Sequence, residues 1–275
     1  MTPSNGERMY AVRRPLAAFC AGAAVAILGG LIGLGGAEFR LPLLIALFEL
    51  YPHRAIRINL LISLATLAIS AVARLSFTNA NEVTSFTPEI FAMLAGGIAA
   101  AWVGATLLQR IPKDRVLVVI AALLAAIAGL LIFESLFTGT TSFALPADYL
   151  VRIPAAVSAG IVTGAVSSLL GVAGGELIIP ILMFIFGADI RTAGTASVLI
   201  STPVVLTGIA RHWLTGHYRS RTMLTYLVLP MSLGSAAGAL VGGFLAVWAP
   251  VDALRIMLAI ILAISALKLI WKPSH

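Results

Sequence analysis

Long apolar runs alternate with short polar stretches along almost the whole chain. The runs cover 16–34, 41–50, 58–75, 88–109 and 116–137 in the first half and 153–172, 177–188, 192–210, 222–248 and 253–271 in the second. Four runs in each half have about the 17 to 25 residues that a helix needs to cross a bilayer. The other two, 41–50 and 177–188, would reach only about 15–18 Å, roughly half of a ~30 Å hydrocarbon core. The pattern predicts an all-α polytopic membrane protein with about ten membrane segments, one of them short and broken or re-entrant in each half.

The two halves of the chain are an internal repeat of each other. A shift of 138 positions lays the second half on the first without a gap for about a hundred residues. The segment Gly33–Pro42 then falls on Gly171–Pro180, and the match extends outward to Gly22 with Gly160, Ala55 with Ala193, Ser63 with Ser201, Gly96 with Gly234 and Asp114 with Asp252. Glycine-rich breaks at corresponding places in two halves are the best sequence pointer to the substrate site of a transporter.

Composition supports the membrane assignment. The chain is 60% hydrophobic and 11% charged, with a mean hydropathy of +1.04, whereas a soluble domain has about a quarter charged residues. The net charge of +7 does not indicate nucleic acid, because the basic residues lie between apolar runs, where they orient helices in a bilayer. The single cysteine, Cys20, excludes an intramolecular disulfide.

The basic residues predict the topology. If each half makes five passes, counting the short run as a return leg, 13 of the 18 Lys and Arg residues fall on one side and 5, including Arg40, on the other. If each first helix and its short run form one broken span, the division is 10 to 7 with Arg40 inside the membrane. The positive-inside rule favours the first arrangement, with both termini cytoplasmic and the two halves inverted. It divides the chain into an N-terminal repeat (1–137), a central non-cytoplasmic loop (138–151) and a C-terminal repeat (152–275).

The first apolar run has features of a signal peptide, because Arg13 and Arg14 precede it. We expect it to be retained as the first helix. Arg14 corresponds to Arg152 under the repeat, and the run leads directly into the glycine-rich break.

The two breaks are the predicted binding site. Glycine can unwind a helix and bring backbone close to a ligand, and the short helix that follows presents unpaired N–H groups and a partial positive charge to an anion. We expect the two helix N-termini to face each other near the midplane, each with a proline in its first turn. The alternative is that the glycines only permit close helix packing. The candidate binding glycines are Gly33, Gly35 and Gly36 in the first half and Gly171, Gly174 and Gly175 in the second.

Ionisable residues accompany the breaks. Glu38 and Glu176 are repeat equivalents within apolar sequence, and ionisable groups at membrane depth are functional candidates. Burial raises a carboxylate pKa, so the pair could couple transport to protons or bind a cation. Alternatively, each glutamate only offsets the dipole of its short helix. Arg40 could neutralise Glu38 or hold an anion, but its repeat equivalent is Ile178.

Polar residues on the next helix of each half complete the candidate site. Asn59 and Ser63 lie four positions apart, on one helical face, as do their equivalents Ser197 and Ser201, with Thr195 nearby. These side chains could hydrogen-bond an oxyanion, or they could bond neighbouring helices or their own backbone. Arg54, Arg57 and Arg191 precede them as interfacial anchors.

Other chemistry finds little support. No histidines have zinc-motif spacing, no Walker motif occurs, and no nucleophile–base arrangement is visible. We therefore expect no enzymatic activity, no resident metal and no cofactor.

The doubled motif resembles that of the TauE/SafE sulfite exporter family. Two copies of a Gly-x-Gly-Gly-Gly-(x)4-Pro pattern each follow a first apolar helix and precede a short one, and the resemblance covers essentially the whole chain. Ala37 replaces the third glycine of the first copy, and Ala173 replaces the second glycine of the second copy. In both copies a glutamate, Glu38 or Glu176, directly follows the glycine segment. The resemblance implies transport of sulfite, sulfonates and related organosulfur anions, generally outward across the bacterial cytoplasmic membrane.

The residues and the resemblance together predict a secondary transporter that exports sulfite or a related anion by alternating access. Its partners would be the small anion and the lipid bilayer, without nucleic acid. The principal alternative is a cation transporter in which the paired glutamates form the ion site. A channel and a membrane-embedded enzyme or assembly factor are further alternatives.

Overall fold

The structure is a computed structural model and describes residues 14–32, 36–75, 83–137, 145–146, 148–216, 218, 221–245 and 260. All regular structure in these ranges is helical. The helices are α1 (Pro15–Ile32), α2 (Ala37–Ala46), α3 (Pro52–Leu75), α4 (Thr87–Leu108), α5 (Lys113–Phe137), α6 (Tyr149–Leu170), α7 (Gly175–Phe184), α8 (Ile190–Leu214) and α9 (Leu229–Leu245). A short turn, Arg221–Met223, and a π-helical turn, Leu224–Val228, lead directly into α9. The apolar run 253–271 lies almost wholly outside the described residues.

Four segments in the described ranges are long and apolar enough to cross a membrane. They are Thr87–Leu108, Tyr149–Leu170, Thr192–Leu214 and Arg221–Gly242. Large apolar side chains on their outer faces are exposed, among them Val103, Leu150 and Leu240. Such a surface suits a lipid solvent, so the structure confirms an all-helical membrane protein.

The short helices α2 and α7 each have 10 residues and occupy corresponding places, since Ala37 and Gly175 begin them and lie 138 positions apart. Each follows a glycine in the left-handed region, Gly36 at φ 70° and Gly174 at φ 78°. A residue with a side chain is disfavoured there, which explains glycine at both positions. At 1.5 Å per residue each helix is about 15 Å long, about half of the hydrocarbon thickness.

The expected position of the prolines was wrong. Pro42 and Pro180 lie well inside α2 and α7 rather than in the first turn, because each helix begins before its glutamate. A proline has no N–H, so Pro42 cannot make the helical hydrogen bond to the carbonyl of Glu38 four residues earlier. The same holds for Pro180 and the carbonyl of Glu176.

The first helix of each half packs closely on the fourth helix of the other half. Gly22 of α1 lies against the carbonyl of Met231 in α9, and Gly160 of α6 lies against the carbonyl of Met93 in α4, so that an added Cβ would overlap each oxygen. The two contacts are equivalent under the repeat with the halves exchanged, since residue 22 corresponds to 160 and residue 93 to 231. A second exchanged set joins Gly96 to Val157 and Gly234 to Phe19. The two helix pairs thus pack through equivalent positions of the two halves.

The apolar core encloses both short helices. Leu41 and Leu44 of α2 are buried in one cluster with residues of α3 and α5. Ile178 and Leu182 of α7 are buried in a second cluster with residues of α4, α6 and α8. The broken helix ends are therefore surrounded by protein, where interrupted backbone can be tolerated at membrane depth.

The ends of neighbouring helices contact each other at both ends of the bundle. At one end, His53 Nε2 at the start of α3 lies 3.0 Å from the carbonyl oxygen of Leu108 at the end of α4. At the other, Arg152 at the start of α6 forms an ion pair of 2.9 Å with Glu89 at the start of α4. His53 and Arg152 therefore lie at opposite ends of α4, which is long enough to span a membrane.

Candidate functional site

The centre of the site is Arg40, in the second turn of α2, whose side chain is completely buried. Its guanidinium donates three hydrogen bonds to neutral acceptors: Nε to Asn59 Oδ1 at 3.1 Å, Nη1 to Ser235 Oγ at 3.1 Å and Nη2 to Ser63 Oγ at 3.2 Å. The charge count assigned Arg40 to the non-cytoplasmic loops, and this was wrong. The side chain lies inside the bundle because it bridges α2 to α3 and α9.

The partners of Arg40 place the site at depth in the bundle. Asn59 and Ser63 are the eighth and twelfth residues of α3, which places them about 10 and 16 Å along that helix from its start. The prediction that these two residues share one face is confirmed, since both contact the same guanidinium.

Asn59 joins the breaks of the two halves. Its Nδ2 donates to the carbonyl of Ala37, at the start of α2, at 2.8 Å and to the carbonyl of Leu170, at the end of α6, at 3.3 Å. Ser63 Oγ donates to the carbonyl of Gly171 at 3.3 Å. A single polar face of α3 therefore holds backbone from both glycine-rich segments, which the sequence predicted to converge.

Gly171 is required by the closeness of this approach. It has φ 68°, and an added Cβ would overlap the carbonyl oxygen of Ile56 in α3. The break in the second half is thereby packed directly on a helix of the first half. Gly33, its repeat equivalent, and Gly35 lie outside the described residues.

Ser235 is a site residue that the sequence analysis missed. Besides accepting from Arg40, its hydroxyl donates to the carbonyl of Gly22 in α1 at 3.4 Å. Its repeat equivalent is Gly97 and it lies in a run of small residues, so neither symmetry nor local pattern distinguishes it. The sequence offered one indirect signal, Arg40 itself. A buried guanidinium needs several hydrogen-bond acceptors, so polar partners on other helices could be expected.

Glu38 is completely buried in the first turn of α2, as predicted. Arg40 lies two positions further along α2 and is also completely buried. A carboxylate in the first turn is stabilised by the partial positive charge of the helix N-terminus.

Among the described side chains of the second half, the positions equivalent to Arg40, Asn59 and Ser63 do not form such a cluster. Ile178 is buried at the position equivalent to Arg40. Ser197 Oγ donates to the carbonyl of Gly194 in its own helix at 2.8 Å, and Ser201 Oγ is buried without a hydrogen-bond partner among the described residues. Thr195 is half-buried on the same helix. The side chain of Glu176 lies outside the described residues.

The polar chemistry gathered here suits an oxyanion. A guanidinium presents a planar fork of N–H donors that matches carboxylate and phosphate oxygens, and its charge strengthens each bond. Within the described part of the chain, no three His, Cys, Asp or Glu side chains are close enough together to hold a metal ion.

Comparison with known proteins identifies the family. The sulfite exporter TauE/SafE family matches residues 18–269. The chain belongs to the TauE/SafE family. Over 122 residues it is 31% identical to the probable membrane transporter protein y4hK of Sinorhizobium fredii (strain NBRC 101917 / NGR234), a match that covers 42% of this chain and 46% of the relative. The match thus spans under half the length of that relative, and no solved structure matches the chain.

Membership in the TauE/SafE family makes the chain a multi-pass membrane protein of a transporter family rather than of an enzyme class. The predicted family assignment is confirmed.

A basic cluster lies at one end of this TauE/SafE protein, away from Arg40. Tyr218 donates from its hydroxyl to the carbonyl of Arg57 at 3.2 Å, and burial raises the pKa of the Tyr218 phenol above its ordinary value. The phenol therefore remains a hydrogen-bond donor throughout the physiological pH range. Of the predicted anchors, Arg54 is exposed and Arg57 half-buried, whereas the side chain of Arg191 lies outside the described residues.

Proposed function

We propose that this TauE/SafE protein is a secondary transporter that exports sulfite or a related small organosulfur anion. The observation that carries the proposal is the complete burial of Arg40 where the two glycine-rich breaks approach α3. A positive charge at membrane depth is costly and is typically retained for transport. The family name supplies the class of anion.

Two features favour an anion at Arg40. The acceptors Asn59, Ser63 and Ser235 are neutral polar side chains that orient the guanidinium. The N-terminus of α2 begins at Ala37, one turn from Arg40, and adds a partial positive charge. An anion that replaces one hydroxyl acceptor would add an opposite charge next to the guanidinium and could accept two parallel N–H bonds from it.

Alternating access is the proposed mechanism. The exchanged contacts of Gly22 with Met231 and of Gly160 with Met93 are those expected of two repeats related by a two-fold axis. Five passes per repeat, about ten in all, would place that axis in the membrane plane and make the repeats inverted. Exchanging the conformations of the repeats would then open the central site first to one side and then to the other.

The positive-inside rule supplies the proposed orientation. The end of the bundle that contains His53, Arg57 and Arg211 would be cytoplasmic, and the end that contains the Arg152–Glu89 pair would be non-cytoplasmic. The chain would lie in the bacterial cytoplasmic membrane with both termini inside. Its repeats would be 1–137 and 152–275, joined by the non-cytoplasmic loop 138–151.

Proton coupling through Glu38 and Glu176 is the final element of the proposal. Glu38 is completely buried, and buried ionisable groups at membrane depth mark proton pathways in transporters. Gly33, Gly35, Gly36, Gly174 and Gly175 would provide the flexible backbone of the two gates, and Thr195, Ser197 and Ser201 would line the second half of the site.

Sulfite flux into proteoliposomes under an imposed pH gradient tests this function. Taurine, sulfoacetate and sulfate serve as competitors, and sodium or divalent cations are offered in parallel. Saturable sulfite flux that follows the pH gradient and yields to organosulfur anions supports the proposal. Saturable cation flux without sulfite flux would indicate a cation transporter whose ion site is formed by the paired glutamates. Flux that does not saturate would indicate a channel.

A further inference from the structure

Another positively charged group, Arg211, lies where α8 ends beside α4. Arg211 is in the last turn of α8 and is half-buried. Its Nε donates to Thr106 Oγ1 of α4 at 2.9 Å, and its Cζ lies 5.1 Å from the ring centroid of Trp102. Thr106 in turn donates to the carbonyl of Trp102 at 2.8 Å. The guanidinium is therefore fixed across the seam between the two halves.

Among the described residues, Arg211 has no carboxylate partner. The ion pair seen there joins Arg152 to Glu89. The two protein contacts of Arg211 are a neutral hydroxyl and an aromatic face. Both orient the guanidinium, and neither supplies a negative charge. The remaining N–H groups of the fork are suited to a phosphate, which arginine binds in a bidentate manner.

The surroundings of Arg211 are those of a membrane interface. Trp102 is 42% exposed and Trp213 is 69% exposed, and exposed tryptophans are enriched at the level of lipid headgroups. Gln109 Nε2 donates to Thr215 Oγ1 at 3.4 Å beside them, so polar donors continue outward along the same seam. The apolar side chains of Val103 and Leu107 are exposed on the neighbouring face of α4, where acyl chains would lie.

We propose that the seam of Arg211, Trp102, Thr106 and Gln109 binds the phosphate of an anionic phospholipid from the bilayer. The headgroup phosphate supplies the negative charge that the protein does not provide, and the acyl chains cover the exposed apolar face of α4. The bound lipid bridges the two halves at one end of the bundle. This site is independent of the transport function proposed for Arg40.

Fluorescence quenching by brominated lipids tests the site with the full chain. In a variant that retains Trp102 alone (Trp213→Phe, Trp248→Phe, Trp271→Phe), the probe is the ring that contacts Arg211. The protein is reconstituted in phosphatidylcholine vesicles with a minor fraction of brominated phosphatidylglycerol or of brominated phosphatidylcholine. We expect phosphatidylglycerol to be enriched about five-fold at Trp102, the factor expected for one basic residue near an anionic surface.

Variants separate the site from general surface charge. Arg211→Gln abolishes the enrichment, whereas Arg221→Gln, which removes an exposed charge in the segment that follows, leaves it unchanged. Thr106→Val keeps the charge and releases the guanidinium, so it reduces the enrichment by less than Arg211→Gln does. Equal quenching by both lipids, or equal losses in the Arg211 and Arg221 variants, would overturn the proposal. So would loss of the enrichment on adding inorganic phosphate at constant ionic strength, since the site would then take a free anion.

Discussion

Arg40 donates from Nε to the side-chain oxygen of Asn59 at 3.1 Å, and the amide nitrogen of the same Asn59 donates to the carbonyls of Ala37 and Leu170. The amide of Asn59 thus accepts one hydrogen bond from a buried guanidinium and donates to two backbone carbonyls that belong to different halves of the chain. The orientation of the charge and the position of both breaks depend on it together.

Replacing Asn59 should therefore destabilise the protein strongly. Asn59→Ala leaves Arg40 Nε and two carbonyls without this partner, and we expect a loss of about 2–4 kcal/mol, since each buried unsatisfied group costs about 1–3 kcal/mol. Thermal unfolding in detergent measures it. Thr66→Ala is the matched control on α3, because its hydroxyl bonds only within its own helix. Equal melting temperatures for the two variants would show that Asn59 does not hold the breaks.

The close helix contacts give a second prediction. Gly22→Ala and Gly160→Ala each place a methyl group on a carbonyl oxygen of the facing helix, so the helices must separate, and we expect little folded protein from either variant. Gly129→Ala is the control, because nothing lies within 4 Å of its added Cβ, and it should gain about 0.5–1 kcal/mol from helix propensity. Size-exclusion profiles of the purified variants measure folding. A normal profile for Gly22→Ala or Gly160→Ala would contradict the exchanged packing.

Much of this fold could be predicted from the repeat and the glycine pattern. The break at Gly171 and the shared face of Asn59 and Ser63 were visible because glycine and spacing of four are local signals. The partner of Arg40 on α9 was not, since Ser235 is 195 positions away and corresponds to glycine in the other half. The depth of Arg40 was also misjudged, because charge counting treats every arginine as a loop residue.

The second half of the candidate site differs from the first in its polar contacts. Ser197 and Ser201 were predicted from Asn59 and Ser63, yet their helix faces Ile178 rather than an arginine. Ser197 bonds within its own helix, whereas Asn59 and Ser63 bond to groups outside α3. A repeat conserves the position of a helix more readily than the polarity of its contacts.

The ion pair at the opposite end of the bundle gives a third prediction. Arg152 also donates from Nη2 to the carbonyl of Phe186 at 3.2 Å, so it ties the end of α7 to α4 and α6. Glu89→Gln should cost about 3 kcal/mol, since breaking a buried pair leaves a charge behind. Arg152→Gln alone should cost about as much, and a double-mutant cycle should give a coupling energy of about 1–3 kcal/mol. The exposed Glu49→Gln is the control, and a coupling energy near zero would remove the pair from the account.

Proton coupling gives a fourth prediction. If the buried Glu38 and its equivalent Glu176 carry the coupling proton, the Glu38→Gln, Glu176→Gln double variant should transport with a rate that no longer depends on the pH gradient. Glutamine keeps the size of the side chain and removes its titration. Flux measured at several imposed gradients checks this, and an unchanged pH dependence would exclude both glutamates.

Sulfite flux through Arg40 variants tests the central claim most directly. Arg40→Lys keeps a positive charge but loses the planar fork, and we expect saturable flux to fall at least about tenfold. The exposed Arg115→Lys should match the wild type, and Ser235→Ala, which keeps Arg40, should raise the half-saturation concentration a few-fold while retaining flux. These results, with normal melting temperatures, would place the anion at Arg40. Wild-type sulfite flux in the Arg40→Lys variant would contradict the account.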